Sequence, residues 1–316
     1  MSSPSARLWA LALLIAVLAP LALSNEFMLH MMTLWAIYSL LALSLNIIIG
    51  YLGELSFGHA AFFGIGAYTS ALLVMNLGLP VWLGPLAGAL VAGVFGLAIG
   101  FVALRIVGPQ FAILTLGFGA ILQTVTNYWV DVTRGPMGIS QIPAFRIDSL
   151  GLDFALAQNM YFLALAFLVL GIYACRALER SRTGRAYVAV RENPELAQSI
   201  GIDSFRTKWM AFTLATAMAG VGGSLYGHYL RVITPELMSL SYMSALVIMV
   251  IVGGKGTTLG PIVGALVYIV LLEGLRAVGS WRMVVFAALL IGCVLFLPGG
   301  LVSLWQRWLQ RRSAHG

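Results

Sequence analysis

The sequence predicts an all-α fold: a polytopic transmembrane helix bundle of about ten spans, with both termini cytoplasmic. Three observations carry that reading. Of the 316 residues, 60% are apolar and only 9% charged, against about 45–50% and 25% in a soluble domain. So little charge cannot cover two water-exposed domains. Between Leu8 and Val130 the only charged residues are Glu26, Glu54 and Arg105. A charge at the bilayer centre costs about 2.5–3.5 kcal/mol on insertion scales, so charges mark the ends of spans. Finally, the apolar runs lack strand alternation, and only helices or closed barrels satisfy their backbone in lipid.

Apolar runs of sufficient length cover residues 8–23, 28–49, 57–75, 81–104, 106–129, 160–175, 209–229, 237–252, 261–275 and 283–297. At about 20 residues per span they fill the chain as a single transmembrane domain, 1–316. Threaded with the N-terminus inside, these runs put 13 of the 18 Lys and Arg on the cytoplasmic side and 5 outside. That bias sets the orientation and makes the connection 130–159 periplasmic. It also accounts for the net charge of +7, which in a soluble chain would point to nucleic acid. Here the partner is the lipid bilayer, with no nucleic acid. The run 8–23, ending at Ala22, Leu23 and Ser24, has the look of a weak signal peptide. The further spans that follow favour a retained helix. The tail 299–316 carries Trp305, Trp308, Arg311 and Arg312 and reads as an interfacial anchor. Cys175 and Cys293 sit in apolar runs as packing residues, without a disulfide or metal pattern.

The cytoplasmic loop 176–208 is different in kind. It concentrates 11 of the chain's 29 charged residues, seven positive and four negative. Within it Asn193 suits a helix N-cap, Pro194 the first helical position, Glu195 the positive end of the dipole, and Gly201 a left-handed stop. A helix over 194–200 follows, with Leu196 and Ile200 on one small apolar face. Seven isolated residues are not a stable helix in water, so this one needs a partner. It either packs as a capped turn on the chain's own helices or plugs into a groove on another protein, rimmed by Arg185, Arg191 and Glu195.

Between the second and third runs, Gly50, Gly53, Gly58, Gly64 and Gly66 surround Glu54, Ser56 and His59. Such a stretch is either tight helix packing or broken helix lining a cavity. Gly253, Gly256 and Gly260 echo it later in the chain, an arrangement that parallel repeats would explain. Small residues over 83–100 and 211–227 predict close helix approach. Asn46, Gln110, Thr115, Gln123 and Asn127 are uncharged polar residues on or near spans. Asn46, Ser56, His59, Gln110 and Thr115 are the candidates for the translocation path. His30, His59 and His228 are expected to be hydrogen-bonded packing, and Glu273 to neutralise Arg276. Gly254-Lys255-Gly256-Thr257-Thr258 fails as a phosphate loop, because Gly256 follows the lysine and Met249 stands where the leading glycine belongs. The spacing offers neither a catalytic grouping nor a nucleotide site.

Glu195, Ala197 and Gly201 resemble the loop signature of ABC importer permeases, with Leu196 where a second alanine is usual. Four longer stretches, 44–68, 108–119, 133–139 and 253–261, resemble LivM-type branched-chain amino acid permeases in the same order. The first runs from Ser44 and Asn46 through Gly53, Glu54, Ser56, Gly58 and His59 to Tyr68. The resemblance implies a multi-pass subunit of the bacterial inner membrane, without an ATPase site or bound cofactor of its own. It would work with an H-type second permease, two cytoplasmic ATP-binding subunits that use the ATP, and a periplasmic solute-binding protein. Arg185, Arg191, Glu192, Asn193, Glu195, Ala197 and Gly201 would then couple the ATPases to transport. Urea and short-chain amide importers have similar permeases, and an ion-coupled secondary transporter is the alternative outside the family.

Overall fold

The computed structural model describes residues 25–106, 108–147, 152–274 and 299–302, with Ala16. Helix α1, Glu26–Asn46, is opened by Asn25, whose Oδ1 accepts the Phe27 N–H at 3.0 Å. It widens into a π-helical stretch, Ile47–Leu52, that ends at Gly53 with φ 75°. Then come α2 (His59–Leu77), α3 (Leu83–Ala103) and α4 (Pro109–Tyr128). A short α5 (Val130–Thr133) leads into an irregular connection. There β1 (Ile139–Ser140) pairs antiparallel with β4 (Val232–Ile233), and β2 (Arg146–Ile147) with β3 (Leu152–Asp153). The chain continues through α6 (Ala157–Arg180), α7 (Arg182–Glu192), α8 (Pro194–Ser199), α9 (Ser204–Leu230), α10 (Leu240–Gly253) and α11 (Leu259–Gly274).

Eight of the ten predicted runs fall on these helices with ends shifted by a few residues. The runs 8–23 and 283–297, most of the tail 299–316, Arg276 and Cys293 lie outside the described residues. Among the described residues five helices are long and apolar enough to cross a bilayer: Glu26–Leu52, His59–Leu77, Leu83–Ala103, Pro109–Tyr128 and Ala157–Arg180. The expectation of ten rests on counting apolar runs alone, and the structure gives a reason for the gap. Helices α10 and α11 have 14 and 16 residues. Helix α9 has 27 residues but is rich in small and polar ones, and most of its second half is buried against protein rather than lipid.

Helix α9 is packed on α2 and α3, and small residues permit the approach. On α3, Gly84, Gly88, Ala92, Gly96 and Gly100 recur every fourth position and are all buried. A Cβ at Gly88 would stand 3.0 Å from the Gly220 carbonyl oxygen of α9, and one at Gly96 2.9 Å from the Thr216 Cβ. The first is tighter than most packed Cβ contacts and the second is closer than Cβ atoms come, so a side chain at either position would push against α9. Aromatic rings fill the layer below, with Phe62 and Phe111 edge-on to Phe212 at 5.7 and 6.1 Å.

Polar contacts sort the connections into two opposite ends. At one end the segment 53–58, the region 176–208 and the loop 254–258 are tied to one another. At the other, Trp82 Nε1 donates to the Arg146 carbonyl at 2.9 Å, and Arg231 Nε to the Ile142 carbonyl at 3.2 Å. There, too, His228 meets Ser70 and the Pro143 carbonyl, both at 2.7 Å. The connections joined by these bonds alternate along the chain between the two ends.

Candidate functional site

The first end is built around α7 and α8. Ser181 opens α7, its Oγ accepting the Gly184 N–H at 3.0 Å. Tyr187 and Val190 turn inward and are buried. Burial pushes the Tyr187 phenol above its ordinary pKa. Helix α7 stops at Asn193, whose backbone is extended (φ −157°). The Asn193 Oδ1 accepts the N–H groups of Glu195 and Leu196, both at 3.0 Å, and so caps α8. At its far end Gly201 adopts φ 86°. Its N–H bonds the Gln198 carbonyl, while Ile202 N–H bonds that of Ala197, both at 3.0 Å. That pair of bonds is the Schellman closure, so both ends of this one-and-a-half-turn helix are satisfied by residues read from sequence.

The faces of α8 are sharply unequal. Ala197 is 2% exposed, whereas Leu196 and Ile200 are 63% and 70% exposed. Ser204 Oγ donates to the Pro194 carbonyl at 3.2 Å and fastens α8 to the first turn of α9. Arg191 fastens α7 to the membrane helices: its Nη1 donates to the Gly50 carbonyl at 2.7 Å. Its Nη2 and Nε both reach Glu192 Oε1, at 2.6 and 3.1 Å. Arg185 is exposed one face further back and donates to the Arg180 carbonyl at 3.2 Å. The seven residues expected to couple thus occupy one continuous α7–α8 unit, with Arg191 its link to the π-helical stretch.

Three further contacts at this end were not read from sequence. Glu54 pairs with Lys208, both side chains largely buried. Tyr51 OH and Thr258 Oγ1 both donate to Glu179 Oε1, at 2.5 and 2.6 Å. The two glycine-rich stretches also meet: Asn46 accepts the Gly256 N–H at 2.9 Å and donates to the Thr257 carbonyl at 3.1 Å. That contact explains Gly50, where a Cβ would stand 2.5 Å from the Gly256 nitrogen. It also puts the wide turn where two backbones cross.

Of the residues expected along a path, Asn46, Ser56, His59 and Thr115 are buried and Gln110 is exposed. His59 opens α2, its Nε2 lying 2.8 Å from Ser44 Oγ. Its Nδ1 and the Ser56 hydroxyl have no partner among the described residues. Thr115 accepts the Phe57 N–H at 3.1 Å, so α4 braces the break between α1 and α2. His30 is bonded as well, its Nδ1 2.5 Å from Tyr229 OH. The uncovered face of α4 carries Gln110, Ile113, Leu116, Ile121, Thr124, Val125 and Tyr128, with Gln123 and Asn127 half-buried at its edge.

A family model described as branched-chain amino acid transport system / permease component matches residues 27–294. The chain belongs to that family. It is 31% identical to the high-affinity branched-chain amino acid transport system permease protein LivM of Salmonella typhimurium, over 99% of this chain and 78% of that one. The same figures hold for LivM of Escherichia coli. It is also similar to the permease protein LivH of Salmonella typhimurium, 27% identical over 86% of this chain and 92% of LivH. No solved structure matches it. The chain is therefore a multi-pass membrane permease, and the α7–α8 unit and the α4 face are features of a permease component.

Proposed function

We propose that this permease is a subunit of an ATP-driven importer of the bacterial inner membrane for branched-chain or related apolar amino acids. It spans the bilayer about ten times with both termini cytoplasmic, so that the end bearing α7 and α8 faces the cytosol. An H-type permease completes the translocation path, two ATP-binding subunits supply the energy, and a periplasmic solute-binding protein delivers the amino acid. No cofactor is bound by this chain. The observation that carries the reading is α8. A helix too short to stand alone is capped at both ends and fastened to α7 and α9, yet turns Leu196 and Ile200 away from its own fold. That is the arrangement of a helix seated in another protein's groove.

Arg191 supports the mechanical part. Closure of the ATP-binding subunits displaces α8, α7 moves with it, and Arg191 passes the displacement to Gly50 where α1 has already left regular helical geometry. The uncovered face of α4, with Gln110, Thr124 and the flanking Gln123 and Asn127, is the side toward the second permease. Weak polar points there let an apolar zwitterion pass without a tight site.

The test is the complete importer in proteoliposomes, with ATP hydrolysis and uptake of labelled leucine and urea measured together. Leucine uptake with stimulated hydrolysis is expected. Glu195→Arg is expected to abolish stimulation while the permease still inserts. Unchanged stimulation removes the coupling role, and uptake of urea alone replaces the substrate class.

A further inference from the structure

Behind the coupling unit lies a cavity of about 350 Å³ between α6, α7 and the π-helical stretch, lined by Tyr51, Leu178, Glu179, Arg185, Val188 and Arg191 among others. This is the small end of the ~300–1,000 Å³ usual for small-molecule sites. Its lining combines three chemistries. Arg185 and Arg191 bring two guanidiniums, each with five N–H donors. Arg185 spends one on the Arg180 carbonyl, and Arg191 reaches Gly50 and Glu192. Glu179 brings a carboxylate that receives Tyr51 and Thr258 through one oxygen, Oε1. A carboxylate has about four acceptor sites. Leu178 and Val188 bring aliphatic surface, Val188 being 40% exposed.

Cation, anion and aliphatic wall in one small cavity match one class of molecule: a free α-amino acid with an aliphatic side chain. We infer that the cavity is a product site, which binds the released amino acid from the cytosol and slows the next transport cycle. The ligand carboxylate bridges Arg185 and Arg191, its ammonium meets Glu179, and its side chain lies on Leu178 and Val188. Arg191 is also the link from α7 to Gly50. A ligand that holds both arginines fixes α7 against α6 and against the π-helical stretch, so α8 resists the displacement that hydrolysis requires. Binding to the resting arrangement alone stabilises it over the displaced one by a factor of 1 + [L]/Kd in the equilibrium. The identity of the ligand as transported product rests on the function proposed above.

The experiment uses the complete importer in proteoliposomes holding ATP, with unlabelled leucine either absent from the lumen or loaded into it, and labelled leucine supplied outside on the binding protein. Initial uptake is expected to fall roughly tenfold when luminal leucine stands about ten times above its Kd. Leucinamide, lacking the carboxylate, and isocaproate, lacking the ammonium, are expected to leave uptake unchanged. Val188→Glu, which sets a negative charge beside the carboxylate position, and Val188→Trp, which fills the cavity, are expected to import at the wild-type starting rate and ignore luminal leucine. Absence of any uptake with an empty lumen defeats the proposed function. Normal uptake that luminal leucine does not slow defeats the product site. So does equal inhibition of wild type and both variants, or inhibition by isocaproate as strong as by leucine.

Discussion

Helices α3 and α4 follow one another with similar lengths, 21 and 20 residues, and each buries only about a third of its residues in the rest of the chain. What they show outward differs. The exposed positions of α3 are Leu83, Leu86, Leu90, Val94, Phe95, Leu97, Ala98, Phe101 and Val102, all apolar. Its other side is the small-residue stripe pressed on α9. Helix α4 reverses the pattern: it buries few residues, Thr115 among them, and exposes Gln110 and Thr124. Lipid has no hydrogen bonds to offer, so α3 can face hydrocarbon directly whereas the polar groups of α4 need water or protein. Equal exposure therefore accompanies opposite surface chemistry, wholly apolar on α3 and partly polar on α4.

The largest effect that would break this contrast lies on the buried side of α3. Gly88→Leu places a side chain against the Gly220 carbonyl, where backbone rather than a mobile side chain must give way. Loss of monodisperse folded permease in detergent is expected, and a normal elution profile with wild-type thermal stability would mean α3 and α9 are not pressed together. Next comes the outward side of α4. Gln123→Leu combined with Asn127→Leu is expected to leave folding intact and reduce leucine uptake by roughly tenfold, measured in the assembled importer, the cost of losing about 1.4 kcal/mol of polar contact along a path. Leu90→Gln on α3 is the mirror experiment: weaker membrane insertion, with uptake per inserted molecule unchanged.

A smaller effect is expected at α8. Asn193→Ala removes the acceptor of two N–H groups and costs about 1 kcal/mol of helix stability. Stimulated ATP hydrolysis should drop severalfold, and Asn193→Ser should restore most of it. The smallest is Leu86→Val on the outer face of α3, for which neither melting temperature nor uptake should change measurably.

Much of this was legible in the sequence because lipid imposes long-range rules on local composition. The spans follow from uninterrupted apolar runs, and the small residues over 83–100 and 211–227 announce close helix approach, though not that α3 and α9 meet each other. Helix α8 was legible in detail, since Asn193, Pro194 and Gly201 act within a few residues of themselves. Helix α7 was not, because Tyr187 and Val190 are sparse apolar positions in a charged loop. The π-helical stretch was hidden as well: Ile47, Ile48 and Ile49 read as ordinary helix, and the contact that accompanies the wide turn comes from Gly256, 210 residues beyond Asn46. Glu54 and Lys208 are separated by 154 residues, so no local pattern pairs them. On α4, Gln110, Gln123 and Asn127 were visible as polar residues, but only packing tells which of them stay uncovered.

The bond from Arg191 ends on a main-chain oxygen of Gly50. Every residue type at that position carries the same oxygen, so no single substitution there deletes the acceptor as it would a side-chain hook. The joint is consequently heritable through one codon only, that of the arginine. A genetic screen for uncoupled permeases should therefore hit position 191 through loss of the donor, and position 50 only through added bulk.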